Sequence, residues 1–155
     1  MCYYPVNYPV LKINEKTTQA PLVRIIYGRP SKNGRTIFGD LVEYGKVWRL
    51  GANEATEIEF YKDATIDNKK IKKGRYTLYA IPDTSNWNII LNKDTDTWGA
   101  FKYDSTNDLA RVTVPVKIMN TPVETLSMTF AKSNSGIDLI VAWDNVEAML
   151  PIVLK

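Results

Sequence analysis

The sequence predicts an all-β, single-domain antiparallel β-sandwich of jelly-roll-like type with at most one or two short helices. Apolar residues alternate with polar ones in stretch after stretch. Turn residues interrupt the chain about every 8–12 residues. The only helix candidates are short, at Leu41 to Gly45 and Ser105 to Leu109, the latter opening at a Ser/Asp-rich start.

Leu22 to Tyr27 reads as the first strand. Ile58 and Phe60 alternate with Glu57 and Glu59, which places the two glutamates on a solvated face. Asp67-Asn68 and Gly74 supply turn chemistry before Tyr76, Leu78 and Ala80, which alternate with Arg75, Thr77 and Tyr79. Trp87, Ile89 and Leu91 mark a further strand. From Ala110 to Ile118 the alternation is unbroken, with Pro115 on the outer face. A proline donates no ladder bond, so this strand is expected at an edge or at a bulge. Leu126, Met128 and Phe130 lead through Ser133-Asn134-Ser135-Gly136 into Ile137, Leu139, Val141 and Trp143, which makes a hairpin. Val146 to Leu154 closes the chain. Residues 1–16 read as a partly irregular N-terminal leader and residues 17–155 as the sandwich domain.

Composition narrows the chemistry. A chain of 155 residues can bury roughly 68–70% of its unfolded surface without a disulfide or metal staple. The apolar share is 45% and the charged share 24%, a folding composition. Net charge is +3, with the signs interleaved, and the run Lys69, Lys70, Lys72, Lys73 is too small for a nucleic-acid footprint. There is one cysteine, Cys2, and no histidine, so an internal disulfide, thiol–imidazole metal sites and imidazole triads are excluded. Neither a metal nor a cofactor is expected. Asp94-Thr95-Asp96, with Asn92 and Asp104, lacks the frame of a calcium loop and reads as a turn. No segment approaches the roughly 20 apolar residues of a membrane span, and the start lacks the regions of a signal peptide. Cys2 could mimic the lipidated end of a bacterial lipoprotein, but a bystander thiol near a terminus is the preferred reading.

Between Tyr27 and Phe60, glycine, arginine and aromatic residues crowd together without simple periodicity. Arg29, Arg35 and Arg49 with Tyr44, Trp48, Asn53 and Glu54 form the candidate binding constellation. Guanidinium forks and an amide can grip a carboxylate, a phosphate or sugar hydroxyls, and the rings offer a stacking plate. The competing role is structural: arginines fastening an irregular loop through its own carbonyls, with Trp48 as a core plug.

The same stretch carries Arg29-Pro30, Gly34-Arg35-Thr36-Ile37-Phe38-Gly39, Leu41-Val42, Tyr44-Gly45, Val47-Trp48-Arg49, Gly51-Ala52-Asn53 and Thr56. It closely resembles the pattern of the family catalogued as domain of unknown function 2911, common in Bacteroidetes-type bacteria. The resemblance runs from about Pro21 to Ile152, with departures at Asn33, at Glu43 where proline is usual and at Leu50 where threonine is usual. It implies an exported, periplasmic or cell-surface protein, and assigns no activity. The leading functional expectation is a non-catalytic module that binds a small polar ligand, glycan or partner protein through the Arg29 to Thr56 loops. One alternative is a hydrolase- or isomerase-type enzyme that uses Glu or Asp with Arg and no His. Another is an assembly protein that uses its edge strands. The oligomeric state is left open.

Overall fold

The computed structural model describes all 155 residues. Nine strands form one antiparallel sheet in the order β1-β2-β3-β6-β7-β8-β9-β4-β5. They are β1 Cys2–Tyr4, β2 Val23–Ile26, β3 Thr56–Phe60, β4 Ala64–Ile66, β5 Lys69–Ile71, β6 Gly74–Pro82, β7 Asn86–Asn92, β8 Asp108–Lys132 and β9 Ile137–Leu154. The fold is all-β, as the alternation predicts. The two faces of the expected sandwich come from one continuous sheet that folds over, because β8 is long enough to serve both halves. The first part of β8 pairs with β7, from Asn92↔Asp108 to Asn86↔Pro115. The rest pairs with β9, from Val116↔Ala148 to Lys132↔Ile137.

Pro115 sits at that seam. Its nitrogen has no hydrogen to give, and pairing with β9 begins only one residue later. Further along, the β8–β9 register shifts between Ile118 and Val123 and again before Ser127. Asp144 has a left-handed backbone (φ 52°) at the same place, and the buried phase of β9 changes from Ile137-Leu139-Val141-Trp143 to Val146-Ala148-Leu150-Ile152. An inserted bulge residue does this: it turns every later side chain to the opposite phase and bends the strand.

Two short helical pieces complete the chain. Tyr8–Ile13 forms α1, with Pro9 in the first turn, where a missing N–H costs nothing, and no residue of it is buried. Within residues 1–16 the structure therefore has a strand and a helix, and Cys2 of β1 lies opposite Ile25 of β2. Burial raises the Cys2 thiol to about 11. Ser105–Asn107 is a 3-10 turn whose first free amide, on Thr106, is accepted by the Asp104 side chain. Leu41 to Gly45 is irregular rather than helical. No helix is long and apolar enough to cross a membrane.

Both halves of the sheet send side chains into one core, from Val23 and Ile58 to Leu139 and Ile152. At its centre Phe38, Trp48, Trp87 and Trp143 meet. Trp48 stacks on Trp143 (6.1 Å between centroids, 17° between planes) and meets Trp87 edge-on at 5.8 Å. Phe38 touches all three indoles. Each such pair contributes about 0.5–1.5 kcal/mol beyond the area it buries. Two of these rings, Phe38 and Trp48, come from the irregular segment between β2 and β3, so that segment is part of the core as well as part of the surface.

The chain crosses itself tightly where the segment leaves β2. A Cβ built on Gly28 would lie 2.2 Å from the Ala52 carbonyl oxygen, whereas one on Gly34 (φ 72°) would meet nothing within 4 Å. Gly28→Ala is therefore expected to lose about 3 kcal/mol or more in urea unfolding, because backbone must move. Gly34→Ala should lose only the left-handed penalty, about 1–2 kcal/mol. Equal losses at the two positions would contradict this packing.

Candidate functional site

After β2 the chain does not turn away from the sheet but runs antiparallel to the far part of β8. Leu126 N–H donates to the Pro30 carbonyl (3.0 Å), Lys32 N–H to the Glu124 carbonyl (2.7 Å), and Ser31 bridges Thr125. The Tyr27 hydroxyl accepts from the Met128 amide at 2.9 Å. Arg29 completes this seam: its Nε donates to the Leu126 carbonyl (3.2 Å) and its Nη2 to the Ser127 hydroxyl (3.1 Å). Arg35 folds back on its own loop, with Nε on the Lys32 carbonyl (3.0 Å) and Nη2 on the Ser31 carbonyl (2.7 Å). Both guanidiniums fasten backbone that the ladders leave unpaired.

The next stretch is pinned to β6, beyond the point where β3 ends. Trp48 and Ala80 exchange both backbone bonds (2.7 and 3.0 Å), and Gly45 N–H donates to the Pro82 carbonyl at 2.9 Å. Extended pairing of this kind alternates side chains. Trp48 points inward and is 8% exposed, and Arg49 emerges half-buried beside it. Leu50 then takes a left-handed backbone (φ 54°) while fully buried. Thr56 holds it there, donating its hydroxyl to the Leu50 carbonyl (2.8 Å) and its amide to the Arg49 carbonyl (3.0 Å). A buried left-handed leucine persists only because its surroundings over-determine it.

The strain leaves Arg49 in an unusual position. Its Nε is buried without a hydrogen-bond partner. No ion pair or hydrogen bond from its own chain engages the guanidinium, although an unpaired buried donor costs about 1–3 kcal/mol. Two adjoining concavities open on it, of about 380 and 340 Å³, and both are walled by Leu41, Val42, Trp48 and Arg49. Lys46, Glu43 and Phe101 also line the first, and Arg35 and Ala52 the second.

The other candidates lie elsewhere. Tyr44, 40% exposed, rests its ring on Gly39 and lines a separate crevice of about 390 Å³ with Lys32, Asp83 and Asp144. Asn53 is exposed in a left-handed turn, where its carbonyl accepts from Gly99. Glu54 is exposed and borders a fourth hollow, of about 320 Å³, with Glu57 and Asp96. In that hollow Glu57 and Asp96 are already engaged by Arg75, at 3.4 and 2.6 Å, and Glu57 also accepts the Asp96 amide. That leaves Glu54 as the one carboxylate there without a partner. Side-chain exposures of 12% for Glu57 and 28% for Glu59, with ion pairs to Arg75 and Arg24, make theirs a paired face rather than a freely solvated one.

Phe101 and Lys46 are site residues that the sequence pattern did not single out. Phe101 is 84% exposed and folds over Gly99, whose Cβ would fall 2.7 Å from the ring. The loop carrying it is anchored by a network in which the Tyr103 hydroxyl donates to Asp108 (2.6 Å), Arg111 donates to both, and Asn92 holds the Asp104 carbonyl and Asp108. Burial and the Asp108 bond push the Tyr103 phenol above its ordinary value. A glycine followed two residues later by an aromatic in a polar loop is the only sequence sign of Phe101.

Stability separates the two classes of arginine. Arg29→Met should lower unfolding free energy by about 1–3 kcal/mol, since Leu126 and Ser127 lose a charged donor. Arg49→Gln should stay within about 0.5 kcal/mol of the parent in the same urea titration, because no partner is lost. The reverse ranking would make Arg49 the fastener.

No curated protein and no solved structure matches the chain. A family model described as "Protein of unknown function (DUF2911)" matches residues 9–152, which takes in the Tyr27–Lys32 seam, the Trp48–Arg49 wall and the Phe101 loop. By that match the chain belongs to the DUF2911 family.

Proposed function

We propose that the protein is a binding module whose paired concavities take an anionic, polar ligand onto Arg49. The observation that carries this reading is the half-buried guanidinium with an unpartnered Nε, facing two adjoining hollows. A carboxylate or phosphate oxygen in the hollows can bond the part of the guanidinium that lines them, which no group of the chain engages, and charge-assisted bonds to a planar fork are among the strongest that a protein makes. Lys46 in the first hollow and Arg35 in the second add positive charge to that of Arg49, against the single carboxylate of Glu43, so the balance of charge favours an anion. Arg29 and Trp48 act in this reading as framework that holds the site open. The export implied by the family resemblance would set the crevice in the periplasm or at the cell surface.

Citrate titrated into isotope-labelled protein should shift amide signals around residues 41–52 and 99–101, and the shifts should weaken as salt rises. Arg49→Gln should reduce citrate affinity by about 10- to 100-fold, the equivalent of losing a charged hydrogen bond. Unchanged affinity in that variant, or shifts confined to other surfaces, would overturn the reading.

A further inference from the structure

Resting on that reading, we infer that the anion is carried on a saccharide, and that the crevice binds a uronate-bearing oligosaccharide along its length. Two features of the opening point to an extended, repeating ligand. Lys46, Arg49 and Arg35 mark three successive cationic positions, with Arg49 shared by both hollows and the others in one each. A ligand with a carboxylate on every unit can meet more than one of them.

Phe101 supplies the second feature. Its ring is 84% exposed and backed by Gly99, which is left-handed (φ 65°) and tolerates no side chain beneath the ring. An apolar ring standing in water beside a cationic hollow has a negatively polarised face and nothing on it. The axial C–H groups of a pyranose are apolar and carry partial positive charge, so they suit that face while the carboxylate reaches Arg49. Glu43 in the same hollow can accept hydrogen bonds from hydroxyls, of which each pyranose carries several.

The test is calorimetric titration of the full chain with hexamers of galacturonate and mannuronate and with a hyaluronan hexasaccharide, alongside methyl-esterified hexagalacturonate, hexaglutamate and citrate. At least one uronate oligomer should bind about tenfold or more tighter than citrate, and the neutral ester should lose most of that affinity. Phe101→Ala should weaken the oligomer by about 3- to 10-fold more than it weakens citrate. Phe101→Leu, which keeps an apolar group over Gly99, serves if the alanine variant misfolds. If no uronate oligomer exceeds citrate, if hexaglutamate binds as tightly, or if the Phe101 variants change nothing, the saccharide inference falls and anion binding stands. If Arg49→Gln leaves citrate and oligomers alike unaffected, both fall.

Discussion

Trp48 is held from two sides at once, and the rest of the molecule is arranged around that fact. Its backbone exchanges a pair of hydrogen bonds with Ala80 on β6, in the first half of the folded sheet. Its indole stacks on Trp143 of β9, in the second half. A residue fixed by main chain to one layer and by ring to the other sets the distance between them. Phe38 and Trp87 then fill the angles that remain. Because interiors are close-packed, none of these rings can move far without the others.

The position of Arg49 follows directly. Period-two alternation turns it away from the core that Trp48 enters, and the left-handed backbone at Leu50 stops the strand before a neighbour can cover it. Thr56 closes the turn with two hydrogen bonds. The guanidinium is thus left at the wall of two hollows with its Nε unpaired. Strain and an unsatisfied donor in consecutive residues are what a site looks like when the fold supplies its stability elsewhere. Here the long β8–β9 ladder and the aromatic cluster supply it.

Strands with one buried face were legible in the sequence, because alternation at Ala110 to Ile118 and Ile137 to Trp143 reports burial directly. The break in phase between Trp143 and Val146 was also visible, but it is a bulge at Asp144 within one strand rather than a gap between two. Alternation carries no information about which strands share a ladder, so the continuity of β8 through both halves was hidden. Pro115 held the clue, lying where the strand changes neighbours. Of the seven candidate residues, the pattern could not separate Arg29 and Arg35, which clasp carbonyls, from Arg49, which does not. For Arg29 that difference depends on Leu126 and Ser127, distant in the chain, and for Arg35 on a fold of its own loop that brings the Ser31 and Lys32 carbonyls within reach. Phe101 escaped notice for the same reason: its place beside Arg49 is purely tertiary. α1 was missed because six residues with no buried face give no apolar period.

The bridging role of Trp48 can be measured without any ligand. Native-state hydrogen exchange should show the Trp48 and Ala80 amides opening only with global unfolding, at the same free energy as the central amides of β7 and β8. Exchange of those two amides at rates typical of a mobile loop, while β7 and β8 stay protected, would contradict the account of how the two halves are held and of why Arg49 stands where it does.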